Sequence, residues 1–396
     1  MSVQGFNVGT KQLGPGDDFR LVFSTASSHR RIDTMTSPVD STSALVHPHQ
    51  LEVQEFASYA LVIDARSPHE YAEDHVPGAV NLPVVDDDEF AEVGIRHKTD
   101  KHAAYLVGVA YSLRNIADQI KPLISRYTPQ DRFLVYCFRG GKRSRLWADN
   151  LRTIGFEVDV LAGGWKSYRR WVRAGLDTLP RSLTYRVVCG PTGSGKTRLL
   201  YELRRQGQQV LDLEALAHHR GSLLGDLPGD PQPTQKLFDS ALLAEMRRFD
   251  AGQVVWVEAE SKKIGNLQLP ESLYETMHGS SVVNIDAPMS ERVKLWREDY
   301  PHFALDPQGM VRKLEPLKPL VGKETLARWM ALAVQGRVDE LFEGVMAQHY
   351  DPCYRHSTRR SYGQRLEAAC LELESLGAIG LANAARQLVA AEREIR

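Results

Sequence analysis

The sequence predicts an α/β protein built from two parallel-sheet units in series. Two observations carry this reading. Short apolar strands alternate with helically spaced segments over most of the chain, and two of those strands run straight into glycine-rich, basic loops. The length agrees, since 396 residues suffice for two or three separate cores. With 42% hydrophobic and 25% charged residues, the composition is that of an ordinary soluble protein. A net charge of −1 supplies no overall field to attract nucleic acid, so any RNA site must be a local basic patch. Cys137, Cys189, Cys353 and Cys370 have no paired spacing, which argues against a disulfide framework and for a reducing, cytoplasmic setting. The longest nearly apolar stretch, 103–113, is far short of the ~20 residues that cross a bilayer. No basic segment followed by an apolar core marks a signal peptide.

Residues 1–44 are rich in Ser, Thr, Gly and Asp and read as a mobile extension. Order is expected from Leu45. The run 60–64 (ALVID) is a buried strand ending in a carboxylate, 133–136 (FLVY) is a second that stops at Cys137, and 158–161 (VDVL) is a third. Residues 115–125 and 144–154 have helical spacing between them. Asp, Thr and Pro near 176–182 suggest a boundary, giving a first unit at 45–178 and a second at 182–396. The second series has strands at 185–189, 209–212, 254–257 and 281–286, with a helix at 197–205; beyond Ser290 the pattern turns helical. Cys189 reads as strand core and Cys370 as the core face of a helix. His349, Cys353 and His356 lack a fourth partner, so no metal site is expected from them.

The first loop, YCFRGGKRS at 136–144, places Cys137 between a strand end and a helix start. Backbone amides converge on such a sulfur, and the helix N-terminus adds positive potential. Arg139, Lys142 and Arg143 add cationic side chains, so the thiolate is favoured. Gly140 and Gly141 permit tight curvature. The same cradle suits a persulfide, a perselenide or a phosphate.

The second loop, GPTGSGKT at 190–197, matches G-x-x-x-x-G-K-[ST] in full and sits between a strand and a helix, as that motif requires. Gly190, Gly193 and Gly195 let amides face an oligophosphate, and Lys196 neutralises its charge. Thr197 is a candidate Mg²⁺ ligand, with Glu258 at the end of an apolar strand as its acidic partner. No base-reading motif accompanies the loop. Two polar strings, DLEALAHHRGS (212–222) and EAESKKIG (258–265), leave strand ends on the side where open αβ sheets bind ligands. Arg220, Ser222, Ser261 and Lys262 are therefore expected to face the anion.

These residues carry a family resemblance. IDARSPHEYAEDHVPGAVNLP at 63–83 and LAGGWKSYR at 161–169 resemble the front and closing segments of a rhodanese domain, with Cys137 where rhodaneses carry a sulfane sulfur. Asp64 and Arg66 match positions that brace that fold, and Glu70 and His75 match its neighbouring helix and turn. The stretch from Cys137 to Arg143 is one residue longer than the usual Cys-x-x-Gly-x-Arg-Ser loop. It is of the wider kind found in related phosphatases and suits a larger atom or a tetrahedral oxyanion. Residues 86–120 also exceed a minimal rhodanese.

A rhodanese-like unit followed by a P-loop unit, with GPTGSGKT, DLEALAHHRGS and EAESKKIG in that order, resembles the tRNA 2-selenouridine synthase family across about residues 50–380. The resemblance implies an N-terminal rhodanese-like parallel-sheet domain and a C-terminal P-loop NTPase-like αβ domain with a helical extension. It implies geranylation of wobble 2-thiouridine in tRNA by geranyl diphosphate, then replacement of the geranylthio group by selenium from selenophosphate. A selenophosphate-supplying enzyme is the implied partner, and neither flavin nor nicotinamide is implied. Cys137, Arg139 and Arg143 would serve the selenium step, and residues 190–197 the departing diphosphate. RNA would dock on Arg292, Lys294 and Arg297, and on Arg355, Arg359 and Arg360 with Tyr354 and Tyr362 beside them. The rival enzymatic reading is an ATP-dependent kinase or NTPase fused to a sulfurtransferase; the non-enzymatic one is an anion-binding scaffold.

Overall fold

Both sheets form where β-branched and aromatic runs lie between glycine-rich turns. The computed structural model describes residues 45–46, 56–363 and 370–395, so the extension expected at 1–44 lies outside the described residues. The first sheet contains β1 (Leu45–Val46), β2 (Leu61–Asp64), β3 (Val80–Asn81), β4 (Arg132–Tyr136) and β5 (Glu157–Leu161). Its order is β1-β5-β4-β2-β3, with every pairing parallel. Strands β2, β4 and β5 are buried along nearly their whole length, as expected for a parallel sheet covered on both faces. At the end of β2, Asp64 and Arg66 form a fully buried two-point ion pair, and Arg66 Nη2 also donates to the Asp74 carbonyl at 2.5 Å. These residues brace the turn that enters helix Pro68–Glu73.

The helix expected at 115–125 is longer. It runs Lys101–Ile124 and is preceded by a second helix, Asp87–Thr99. Both start at an aspartate cap: Asp86 accepts from Glu89 N at 2.8 Å and Asp100 from Ala103 N at 3.0 Å. Few of their residues are buried, which explains why apolar periodicity gave little signal there.

The second sheet contains β6 (Thr184–Cys189), β7 (Gln209–Leu211), β8 (Val254–Glu258), β11 (Ser281–Asp286) and β12 (Cys370–Glu372); β9 (Lys263–Ile264) and β10 (Leu267–Gln268) form a separate small hairpin. The order is β12-β11-β6-β8-β7, all parallel. Strand β12 corrects the sequence reading. Cys370 was expected on a buried helical face, yet it opens an edge strand and is exposed. Cys189 is buried in β6, as expected.

Residues 176–182 are not a free linker. Helix Gly164–Thr178 passes directly into a 3-10 turn, Leu179–Ser182, and Leu176, Pro180 and Leu183 are buried. One hydrophobic cluster crosses the junction, joining Leu134, Trp165 and Val172 to Phe238, Leu242 and Val255. At its centre lies Asp74, wholly buried. It accepts from Trp165 Nε1 at 2.7 Å and from Ser240 Oγ at 2.7 Å, with Arg169 Nε 3.5 Å away. Arg169 continues to Asp239 at 2.9 Å and to the Lys236 carbonyl at 2.9 Å. Burial pushes the Asp74 carboxyl above its ordinary range, and the hydrogen bonds from Ser240 and Trp165 oppose that rise.

Candidate functional site

Strand β4 delivers Cys137 into the first loop, 3% exposed. The loop carbonyls turn away from the sulfur: Cys137 O accepts from Trp165 N at 2.8 Å and Phe138 O from Lys166 N at 3.1 Å. Gly141 N donates to Cys137 Sγ at 3.2 Å, and Ser144 Oγ stands 3.3 Å from the same sulfur. Helix Lys142–Ile154 begins at Gly141 without a side-chain cap, so its first amides remain available to an anion. Gly140 is required here. Its φ is +67°, and an added Cβ would lie 2.6 Å from the Leu161 carbonyl.

The three cations behave differently from one another. Arg143 is held by Glu70 through two contacts, Nη1–Oε2 at 2.5 Å and Nη2–Oε1 at 3.2 Å. Arg139 is exposed with its guanidinium 5.8 Å from the Phe138 ring centre, and Lys142 Nζ lies 3.5 Å above Tyr105. Arg143 thus has a fixed direction, whereas Arg139 and Lys142 rest on aromatic faces at the surface.

The second loop joins β6 to helix Lys196–Arg205. It opens on a cleft of ≈ 420 Å³ lined by Gly190, Gly193, Gly195, Lys196, Thr197, Glu214, Arg220, Ser222, Glu260 and Ser261, among others. Gly195, at φ +85°, turns the chain into the helix. Lys196 Nζ bridges the loop mouth, donating to Gly190 O at 2.8 Å and Pro191 O at 3.3 Å. Arg220 stacks 4.7 Å from the Tyr300 ring and bonds the Asp299 carbonyl. Ser261 lines the cleft while bonding the Lys263 carbonyl. Lys262 does not face the anion as expected; it is exposed and paired with Glu271.

Thr197 Oγ1 sits 3.1 Å from Glu258 Oε2 and 3.2 Å from Glu214 Oε2. Glu214, Glu258 and Glu260 bring ligand atoms within 4.8 Å of one another. Burial raises all three carboxyls, and repulsion among them adds to the rise: Glu214 and Glu260 are pushed up to about 8, and Glu258 well above the carboxylate range. Like charges this close, drawn partly out of water, suit a divalent cation, and Thr197 with these carboxylates offers the hard oxygen donors Mg²⁺ takes. Of the three, Glu258 alone stands out in the sequence, because it ends an apolar strand. Glu214 and Glu260 lay in the two polar strings already placed at the ligand side, and strand order is what brings them together.

Among the expected RNA contacts, Arg292 is excluded. It is 4% exposed, donates to Thr192 O at 2.7 and 3.0 Å, and pairs with Asp351 at 2.6 and 3.0 Å. It ties the phosphate loop to helix Asp351–Tyr362. Helical spacing cannot separate a buried cation from an exposed one when the partner lies 59 residues away. Lys294 and Arg297 are exposed and paired with Glu291 and Asp339 at 2.7 and 3.0 Å. Arg355 is exposed; the side chains of Arg359 and Arg360 lie outside the described residues. Cys353 Sγ stands 3.7 Å from His349 Nδ1, within the cleft lining.

Two family models match this chain: a Rhodanese-like domain over residues 49–170, and the tRNA 2-selenouridine synthase AAA domain over residues 183–312. A tRNA 2-selenouridine synthase of Alcanivorax borkumensis is 30% identical over 333 residues, 76% of this chain and 90% of the relative. The chain belongs to the tRNA 2-selenouridine synthase family. Other members align over a shorter span. The Nitrosomonas europaea synthase is 34% identical over 65% of this chain and 67% of its own length, and that of Aeromonas salmonicida is 38% identical over 61% and 65%. Membership accounts for both loops on one chain, and for the order of the polar strings that build the cleft.

Proposed function

We propose that this chain converts 2-thiouridine at the tRNA wobble position to 2-selenouridine in two steps, one at each loop. In the first, the thiocarbonyl sulfur attacks the allylic carbon of geranyl diphosphate, the C–O bond breaks and diphosphate departs. The observation that carries this is the cleft at 190–197, where the glycine-rich turn, Lys196 and Arg220 face one space and meet the negative charge that grows on the leaving group. Mg²⁺ held by Thr197, Glu214, Glu258 and Glu260 would supply further charge neutralisation to a diphosphate there. In the second step, selenium from selenophosphate replaces the geranylthio group at Cys137, with Arg139 and Arg143 as the anion-binding cations. Lys294, Arg297 and Arg355, with Arg359 and Arg360, are the proposed contacts to the tRNA backbone. A selenophosphate-forming enzyme must supply the donor. Among the described residues no helix is long and apolar enough to cross a membrane, and we assign the activity to the cytoplasm, where tRNA resides.

The test is nucleoside mass spectrometry on 2-thiouridine tRNA incubated with the full chain, geranyl diphosphate and selenophosphate. Geranylation lost with Lys196→Ala, and selenation lost with Cys137→Ser while geranylation persists, is the expected result. Unchanged tRNA together with Lys196-dependent ATP hydrolysis would move the protein to the kinase-like reading.

A further inference from the structure

Selenium in selenophosphate is already at the oxidation level of selenide, and its phosphorus is at that of phosphate. A thiolate attacking selenium would have to expel phosphite, and storing the selenium as a perselenide would otherwise demand an oxidant. Attack on phosphorus demands neither. The Cys137 loop has the parts for attack on phosphorus. Five residues separate Cys137 from Arg143, a span suited to a tetrahedral oxyanion. Gly141 N and the uncapped start of helix Lys142–Ile154 face the sulfur side. Arg143 keeps its direction through Glu70, and that pair uses only two of its five N–H groups, leaving others for phosphoryl oxygens. Ser144 Oγ, 3.3 Å from Cys137 Sγ and wholly buried, donates to the Gly141 carbonyl at 3.1 Å, and a rotation of the hydroxyl would turn that proton to a departing thiolate.

We propose that Cys137 is a phosphoryl acceptor, and that the first loop releases selenide from selenophosphate through an S-phosphocysteine. The proposal rests on selenophosphate being the donor, as assigned above. The Cys137 thiolate attacks phosphorus, the S–P bond forms and the P–Se bond breaks. Hydrogen selenide leaves with the electron pair, taking a proton from solvent. Water then attacks phosphorus, orthophosphate departs, and the sulfur recovers its pair with Ser144 as hydrogen-bond donor. Hydrogen selenide adds at C2 of the S-geranyl pyrimidine, the C2–S bond breaks and geranylthiolate leaves. No redox partner enters at any point.

The experiment supplies the full chain and geranylated RNA with selenophosphate radiolabelled either on phosphorus or on selenium, followed by acid quenching. Phosphorus label on Cys137 and orthophosphate as the released product are expected. Ser144→Ala should accumulate that label, because only the hydrolysis half loses its donor, and a merely structural serine would not produce this rise. Arg143→Lys should slow label formation by ~10²-fold, the scale seen when one preorganised donor is lost. Selenium label on the protein without phosphorus label, or phosphite in the phosphorus NMR spectrum, overturns the proposal. Selenouridine formed with neither label on the protein overturns it too, leaving the function intact. No selenouridine at all removes the functional reading, and this inference with it.

Discussion

Replacing Arg292 with methionine separates a structural cation from an RNA contact. The guanidinium is buried and makes four hydrogen bonds, two to Thr192 O and two to Asp351. Removing one member of a buried pair strands the other charge, at about 3–5 kcal/mol. Asp351 keeps 17% exposure, so water relieves part of that penalty and the pair accounts for about 3 kcal/mol. The stranded Thr192 carbonyl adds about 1 kcal/mol. Urea denaturation should therefore show Arg292→Met less stable by about 3–4 kcal/mol. Arg292→Met/Asp351→Leu, which removes both charges, should recover at least half of the loss. The salt dependence of tRNA affinity should be unchanged, whereas loss of a true phosphate contact makes the log–log slope shallower by about 0.7–0.9. A variant that loses less than about 1 kcal/mol and flattens the slope by that amount refutes the assignment.

Other outcomes follow from the same geometry. Glu214 and Glu260 titrate near 8 rather than at the ordinary 4.5, so the folded state binds protons the unfolded chain releases. In metal-free protein the stability these carboxyls contribute should be fully present below pH 4.5 and lost as pH rises through 8; Glu258→Gln should remove that pH-dependent component, and a parent-minus-variant difference that does not change with pH would contradict it. Lys196→Ala should lower geranylation by ~10²–10³-fold while the cooperative unfolding transition is retained, read by nucleoside mass spectrometry and denaturation together. Gly140→Ala forces a side chain against the Leu161 carbonyl at positive φ, and should cost about 1–3 kcal/mol and most of the selenation, measured by thermal unfolding and single-turnover assay.

Much of the site was legible because its parts are contiguous. Cys137 to Ser144 and Gly190 to Thr197 each carry a complete loop on a strand–helix junction, and alternation of apolar runs places the strands around them. Features assembled from distant segments stayed hidden. Arg292 looked like a surface cation because its partner Asp351 sits on another helix. Glu214 and Glu260 became a cluster with Glu258 only through β7 lying beside β8. Cys370 lies in the run LEAACLE, whose apolar spacing reads as a helical face, and only its pairing with Asn284 on β11 makes a strand of it. Asp74 lay in the middle of the rhodanese-like segment, and its bond to Ser240 crosses 166 residues.

The closed junction constrains how the intermediate travels. Helix Gly164–Thr178 anchors the Cys137 loop at its first turn through the Trp165 amide, and further along it packs on helix Gln235–Met246 of the other unit. Both candidate loops are therefore mounted on one chassis, and among the described residues no long tether lies between them. On the proposed two-step reaction the cargo would do the moving: the anticodon loop would leave the first cleft carrying its geranyl group and present itself afresh at the second. Such a relay would release geranylated tRNA into free solution between the two steps.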